Sequence, residues 1–291
     1  MKFFIFSLAA ILLLAVSCRK DNVENLPVPA TAGPRLIFKF KFDSTQTRLD
    51  NLGQVATLPS NHGAQCPVFR FMSAHYIEMT PNATTGLGAG TIIYHAPETN
   101  LGGPTAIDFD SARVVTEGSE FYSVPLSSVA AGSYNYLRVS LAYQNYNVKL
   151  RANSIDFTGT LASFIGYNTY IRNFTPNTIP VTVNANKAQG FWAFEAFSQV
   201  SQGQAPAGAT TVPNPIFATS PIPQGSCLVT GQFASPFTIT GNETQDVIVI
   251  VSLSTNQSFE WVEHSAPGIY EPLNGDTVVD MGIRGLIPIV Q

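Results

Sequence analysis

From Arg35 to Gln291 the chain alternates short apolar runs with clusters of turn residues. Arg35 to Phe42 shows the pattern most clearly: Leu36, Phe38, Phe40 and Phe42 share one face, and Arg35, Lys39 and Lys41 the other. That is the period of two expected of a half-buried strand. Further strands are predicted at Val68 to Met79, Thr91 to His95, Ala112 to Thr116, Glu120 to Val124, Tyr134 to Tyr146 and Asn147 to Phe157. The second half adds Ile179 to Val183, Phe191 to Phe197, Leu228 to Thr240, Asp246 to Ser254, Phe259 to Glu263 and Thr277 to Ile283. Leu161 to Ile171 reads as a short helix or as no helix at all, since Gly166 and the aromatic content argue both ways, and Ser127 to Ala131 as one helical turn closed by Gly132. Many short strands with Gly and Pro between them predict an all-β protein, a β-sandwich that is immunoglobulin-like or made of two packed sheet systems, with long loops and little helix. Ser198 to Ser226 is longer than an ordinary connection and reads either as a binding loop or as a crossover between sheets.

Composition narrows the function classes. The 291 residues are 45% hydrophobic and 12% charged, with a formal net charge of -4. Such a chain is too apolar for disorder and has none of the basic excess that nucleic-acid binding requires. Residues 35–291 read as one compact unit with a possible sub-boundary near 151–178, after which Lys187 and Arg284 are the only Lys or Arg.

The first residues carry a different signal. Lys2 precedes an apolar run from Phe3 to Val16, broken only by Ser7 and ending Ala15-Val16-Ser17-Cys18. The run is shorter than the roughly 20 residues a membrane-spanning helix needs and has the form of a secretory signal. Ala15 to Cys18 resembles a bacterial lipobox, in which a signal peptide, here 1–17, is cut before a cysteine that carries lipid, palmitate among the acyl chains. Cys18 is then the lipidation site, and 18–34, rich in proline, a flexible tether. Lys20-Asp21 with Glu24 resembles the export signal of Bacteroidetes-type surface lipoproteins. The resemblance implies an outer-membrane or cell-surface location and contact with the membrane through the lipid anchor.

The remaining cysteines, Cys66 and Cys227, are 161 positions apart and read either as a disulfide, the natural state in an oxidising compartment, or as two buried thiols. Catalytic signatures are missing: no Gly-x-Ser-x-Gly, HExxH, GxxxxGK[ST] or CxxC occurs. Asp108 with Asp110, or Glu260 with Glu263, could in principle form the acid pair of a glycan hydrolase, but a solvated face is the preferred reading of Asp108 and Asp110, and spacing neither supports nor excludes such a pair. The turn Glu271 to Asp276 offers oxygen ligands without the spacing of an EF-hand. Asp43-Ser44-Thr45, Asp110-Ser111-Ala112 and Asp276-Thr277-Val278 resemble O-glycosylation sites of Bacteroidetes-type secreted proteins.

Of the four histidines, His62, His75, His95 and His264, no two have the close spacing of a ligand pair. A metal site would have to gather them from separate strands. Strict period two sets His75 beside Phe71, Ser73, Ile77 and Met79, with Met72, Ala74, Tyr76 and Glu78 opposite. Four patches, Leu36 to Asp43, Phe71 to Met79, Val124 to Leu126 followed by Ala131 to Tyr134, and Gly190 to Glu195, resemble in that order the methanobactin-associated, MbnP-like lipoproteins. The resemblance implies a periplasmic or surface β-sandwich, some members of which bind copper through histidines and a modified tryptophan. It makes His75 and Trp192 the metal candidates, while the residues alone predict no cofactor. The expected function is therefore a lipid-anchored extracytoplasmic binding or assembly lipoprotein without catalysis, with a protein or glycan as ligand. The alternatives are a copper-binding MbnP-like lipoprotein and a glycan-active hydrolase.

Overall fold

The computed structural model describes residues 33–49, 54–205, 223, 225–265, 268–283 and 285–291. The signal peptide, Cys18 and nearly all of the tether lie outside the described residues, as does most of the Ser198 to Ser226 stretch. The first nine strands are β1 (Arg35–Asp43), β2 (His62–Gln65), β3 (Val68–Thr80), β4 (Thr91–His95), β5 (Glu98–Thr99), β6 (Ala106–Asp108), β7 (Glu120–Pro125), β8 (Gly132–Ala152) and β9 (Ile155–Phe164). They are followed by β10 (Asn168–Phe174), β11 (Val181–Ala188), β12 (Phe191–Ala196), β13 (Gln199–Gln204), β14 (Cys227–Ile239), β15 (Val247–Ser254), β16 (Phe259–Val262), β17 (Thr277–Met281) and β18 (Leu286–Val290). Helix among the described residues is confined to the 3-10 turns Leu126–Ser128 and Pro272–Asn274, and none is long and apolar enough to cross a membrane.

The protein is an all-β stack of packed sheets. A seven-stranded sheet, ordered β13-β12-β9-β8-β3-β4 with β14 also on β8, is the common floor. Three smaller sheets lie against it: β18-β15-β1-β7, β11-β10-β6-β5 and β17-β16-β2. Each closes its own apolar layer. Leu36, Phe38, Phe40, Val249 and Val251 meet Met72, Ala74, Leu137, Val139 and Leu141 in the largest. Phe164, Ile171, Phe174 and Phe191 form the second. Tyr146, Val148, Leu150, Phe259 and Trp261 form the third. Full burial of side chains of this size stabilises by about 1.5–3 kcal/mol each relative to exposure.

β1 follows its alternation, with Leu36, Phe38 and Phe40 buried in the main core and Lys41 turned outward to pair with Asp43 at 2.6 Å. Several other segments depart from expectation. Tyr134 to Phe157 is not two strands broken after Tyr146: β8 runs unbroken through 21 residues, since it pairs with β3 on one edge and with β14 and then β9 on the other. Leu161 to Ile171 contains no helix, because its ends are taken into β9 and β10. Ala112 to Thr116 contributes only an isolated bridge, Val115 to Met72. Cys66 and Cys227 are not joined: Cys66 is exposed beside Asn256 and Gln257, whereas Cys227 is buried opposite Leu141 in the seven-stranded sheet.

β3 holds the departure that matters most for chemistry. Ala74 pairs with Leu141 and Tyr76 with Ser140, so His75 is an extra residue with no partner position on β8. A bulge of this kind bends the strand and re-aims its side chains. The core face accordingly changes parity, from Met72 and Ala74 before His75 to Ile77 and Met79 after it. Strict period two through this segment is thus overturned.

Candidate metal centre

Three donors meet where one sheet hands over to the next. β4 ends at His95, Ala96 and Pro97 turn the chain, and Glu98 opens β5 in the neighbouring sheet. The handover is anchored from both sides: Ala96 N–H donates to the His75 carbonyl at 2.8 Å, and Asp108 N–H to the Pro97 carbonyl at 2.9 Å. Register places His95 opposite Tyr76, next to the bulge residue His75. Upstream, buried Arg138 lies 3.6 Å from Glu78 and donates to the Ala83 carbonyl, while Glu78 accepts Gly90 N–H, so the loop entering β4 is fixed as well.

The result is a two-histidine, one-carboxylate cluster. Nε2 of His75 lies 2.9 Å and Nε2 of His95 3.4 Å from the same oxygen, Oε1 of Glu98. One ligand atom from each of the three lies within 4.8 Å of the others. Rings fix the imidazoles: Tyr76 stacks on His95 at 4.2 Å, Tyr167 stacks on His75 at 5.2 Å, and the Tyr76 ring meets His75 edge-on at 4.6 Å. Tyr167 also donates its hydroxyl to Glu98 at 3.3 Å.

Burial and near neighbours shift two of the three donors. His75 is fully buried, and burial pushes its pKa below the ordinary value despite the pull of Glu98. Nδ1 of the same ring has no hydrogen-bond partner, so the protein does not saturate this imidazole. The hydrogen bond from His75 holds Glu98 below the usual carboxylate range. Tyr167 is pushed above its ordinary value by burial and by the adjacent carboxylate.

The remaining candidates are placed elsewhere. Trp192 lies across Gly203 on the neighbouring strand, lining an apolar cleft with Phe194 and Phe259, and has no part in the cluster. His62 bonds Glu260 at 2.5 Å, and Glu260 also pairs with Arg48 in the interior. His264 is exposed, its backbone N–H donating to Asp276. Asp108 accepts Asp110 N–H and the Ser111 hydroxyl, and Asp110 pairs with Arg172 at 3.0 Å, so these two carboxylates close a turn. In the turn Glu271 to Asp276, Asp276 accepts the backbone N–H groups of His264 and Glu271, and Glu271 takes the Ser265 hydroxyl.

The fold thus gathers His75 and His95 from separate strands. Sequence reasoning missed His95 and Glu98 because it sought a second nearby histidine. The available signal was His95-Ala96-Pro97-Glu98, a histidine and a carboxylate three apart around a proline turn. Compared with known proteins, the chain matches no family model, no curated protein and no solved structure.

Proposed function

We propose that the chain is an extracytoplasmic lipoprotein, anchored through Cys18 at the outer membrane or cell surface, that binds copper(II) at His75, His95 and Glu98 and has no catalytic role. One observation carries the reading: two imidazole nitrogens converge on one carboxylate oxygen at 2.9 and 3.4 Å. Ligands about 2.0–2.2 Å from an ion stand about 2.8–3.1 Å apart at the right angles of a tetragonal copper(II) site, so little movement separates the observed spacing from a coordinating one. Two neutral imidazoles and a carboxylate bring a single negative charge to a divalent ion. Such nitrogen and oxygen sets bind copper(II) most tightly among first-row divalent ions.

The protein residues do the positioning. The β3 bulge aims His75, the Ala96-Pro97 turn sets His95 and Glu98 on one side, and Tyr76 and Tyr167 hold the rings. Bound copper would supply a Lewis-acidic centre. The lipobox-like signal supports the anchor, and the MbnP-like patches support copper, with the ligand set moved from Trp192 to Glu98. Dialysis against a weak chelator is the test: one copper per chain is expected to remain at neutral pH, and wild-type protein that keeps no more copper than a His75→Ala, His95→Ala double variant overturns the reading.

A further inference from the structure

A second site lies away from the histidine cluster and shares no residue with it. Between the seven-stranded sheet and the β17-β16-β2 sheet a cleft of about 400 Å3 remains open. Leu161 forms part of its floor, Trp192 and Phe194 one wall, and Phe259 and Tyr270 the other. A gap between apolar layers usually closes by rearrangement of side chains, because interiors pack densely. Here the wall rings are committed to glycine positions. A Cβ on Gly203 would come 2.5 Å from the Trp192 indole, and one on Gly159 would come 2.0 Å from the Phe194 ring. Both rings occupy the space beside a glycine on the neighbouring strand, so they brace the cleft instead of filling it.

Two of its polar groups are already occupied. Asp276 is the only charged residue among the described lining residues, is 6% exposed, and accepts backbone N–H groups from His264 at 2.9 Å and Glu271 at 2.7 Å. The side-chain amide of Gln204 donates to the Gln189 carbonyl at 2.5 Å. Among the described lining residues the cleft thus presents one carboxylate and no Lys, Arg or His, surrounded by aromatic and aliphatic surface. An anion would be repelled without compensation, and a ligand rich in hydrogen-bonding groups would leave them unpaired.

We infer that this cleft binds an uncharged, largely aromatic or alicyclic small molecule. On the scale on which a cavity of about 150 Å3 takes benzene, its volume accommodates about 16 non-hydrogen atoms. Aromatic side walls favour flat ring systems through offset and edge-on contacts.

The test uses the mature chain, residues 18–291, with Cys18→Ser to prevent acylation, and two dyes sharing one ring skeleton. N-phenyl-1-naphthylamine is neutral; 1-anilinonaphthalene-8-sulfonate carries an anionic sulfonate. The neutral dye is expected to bind saturably at one per chain, with energy transfer from the two tryptophans, Trp192 on the wall and Trp261 in the adjoining apolar layer. The sulfonate should bind at least tenfold more weakly. Leu161→Phe on the floor and Val278→Phe on the opposite side should each weaken the neutral dye at least tenfold. Absence of saturable binding, equal affinity for both dyes, or unchanged affinity in a variant with native thermal unfolding overturns the inference. The comparison of the two dyes on the unvaried cleft decides the matter even where a variant fails to fold.

Discussion

Glu195→Gln isolates one carboxylate that holds two sheets together. Glu195 on β12 is 5% exposed and receives the turn between β10 and β11: Asn177 N–H at 2.8 Å, Thr178 N–H at 2.9 Å, Ile179 N–H at 3.1 Å and the Thr178 hydroxyl at 2.5 Å. The same turn is held from β8 by Asn145, which donates to the Pro176 carbonyl at 2.7 Å. Glutamine keeps the shape but removes the charge. A hydrogen bond to a charged group contributes about 1.5–3 kcal/mol and a neutral one about 0.5–1.5, so weakening three backbone bonds costs about 3–4.5 kcal/mol. At about 2–4 °C per kcal/mol for a domain of this size, the melting temperature should fall by about 6–18 °C at pH 7. Burial would raise the Glu195 carboxyl, yet the hydrogen bonds from Thr178, Ile179 and Asn177 outweigh it and hold the group below its ordinary value of 4.5. A carboxylate depressed in the folded state contributes stability that is present above 4.5 and lost as pH falls through the folded value. The gap between wild type and variant should therefore narrow on acidification from pH 7 to about 3, as protonation removes the wild-type advantage. Calorimetry at both pH values is the assay. A variant melting within about 1 °C of wild type at pH 7, or a gap that stays constant into acid, would refute the reasoning.

Three further outcomes are expected. In native protein a thiol reagent should label Cys66 within minutes and Cys227, 6% exposed, only on unfolding; a disulfide-linked peptide pair in non-reducing mass mapping would contradict the structure. Gly203→Val should displace Trp192, whose ring occupies the space of any added side chain, and shift tryptophan emission to the red while destabilising by about 1–3 kcal/mol, the usual range for overpacking. An unshifted spectrum with native stability would count against the braced wall. Cys18→Ala should abolish incorporation of labelled fatty acid and release the protein from the membrane fraction, whereas unchanged labelling would reject lipidation at Cys18.

Legibility followed the number of faces a strand buries. β1 was readable because one face meets the core and the other holds Lys39 and Lys41, so a register slip would bury charge. β8 was not, because its long central run from Leu137 to Tyr146 is buried on every residue, which erases alternation and hides where one apolar layer ends and the next begins. Strands such as β5 and β6, two and three residues long, are too short to show any period. At the histidine cluster, the His95 to Glu98 spacing is local and was present to be read. Convergence with His75 was not, since it depends on the β3–β4 register and on a bulge, neither of which leaves a mark in composition or spacing. Trp192 was singled out through its patch, but a patch places a residue on a strand without saying which layer that strand faces.

His75, His95 and Glu98 are proposed to act together as ligands of one copper ion. Electron paramagnetic resonance of the protein loaded with one equivalent of copper(II) tests it most directly, because coupling to directly bound imidazole nitrogens splits the signal. The expected spectrum is that of a single homogeneous site showing two nitrogens, falling to one in His95→Ala, with altered parallel parameters in Glu98→Gln. A spectrum identical in wild type, His95→Ala and Glu98→Gln, or one indistinguishable from free copper in the buffer, would contradict it.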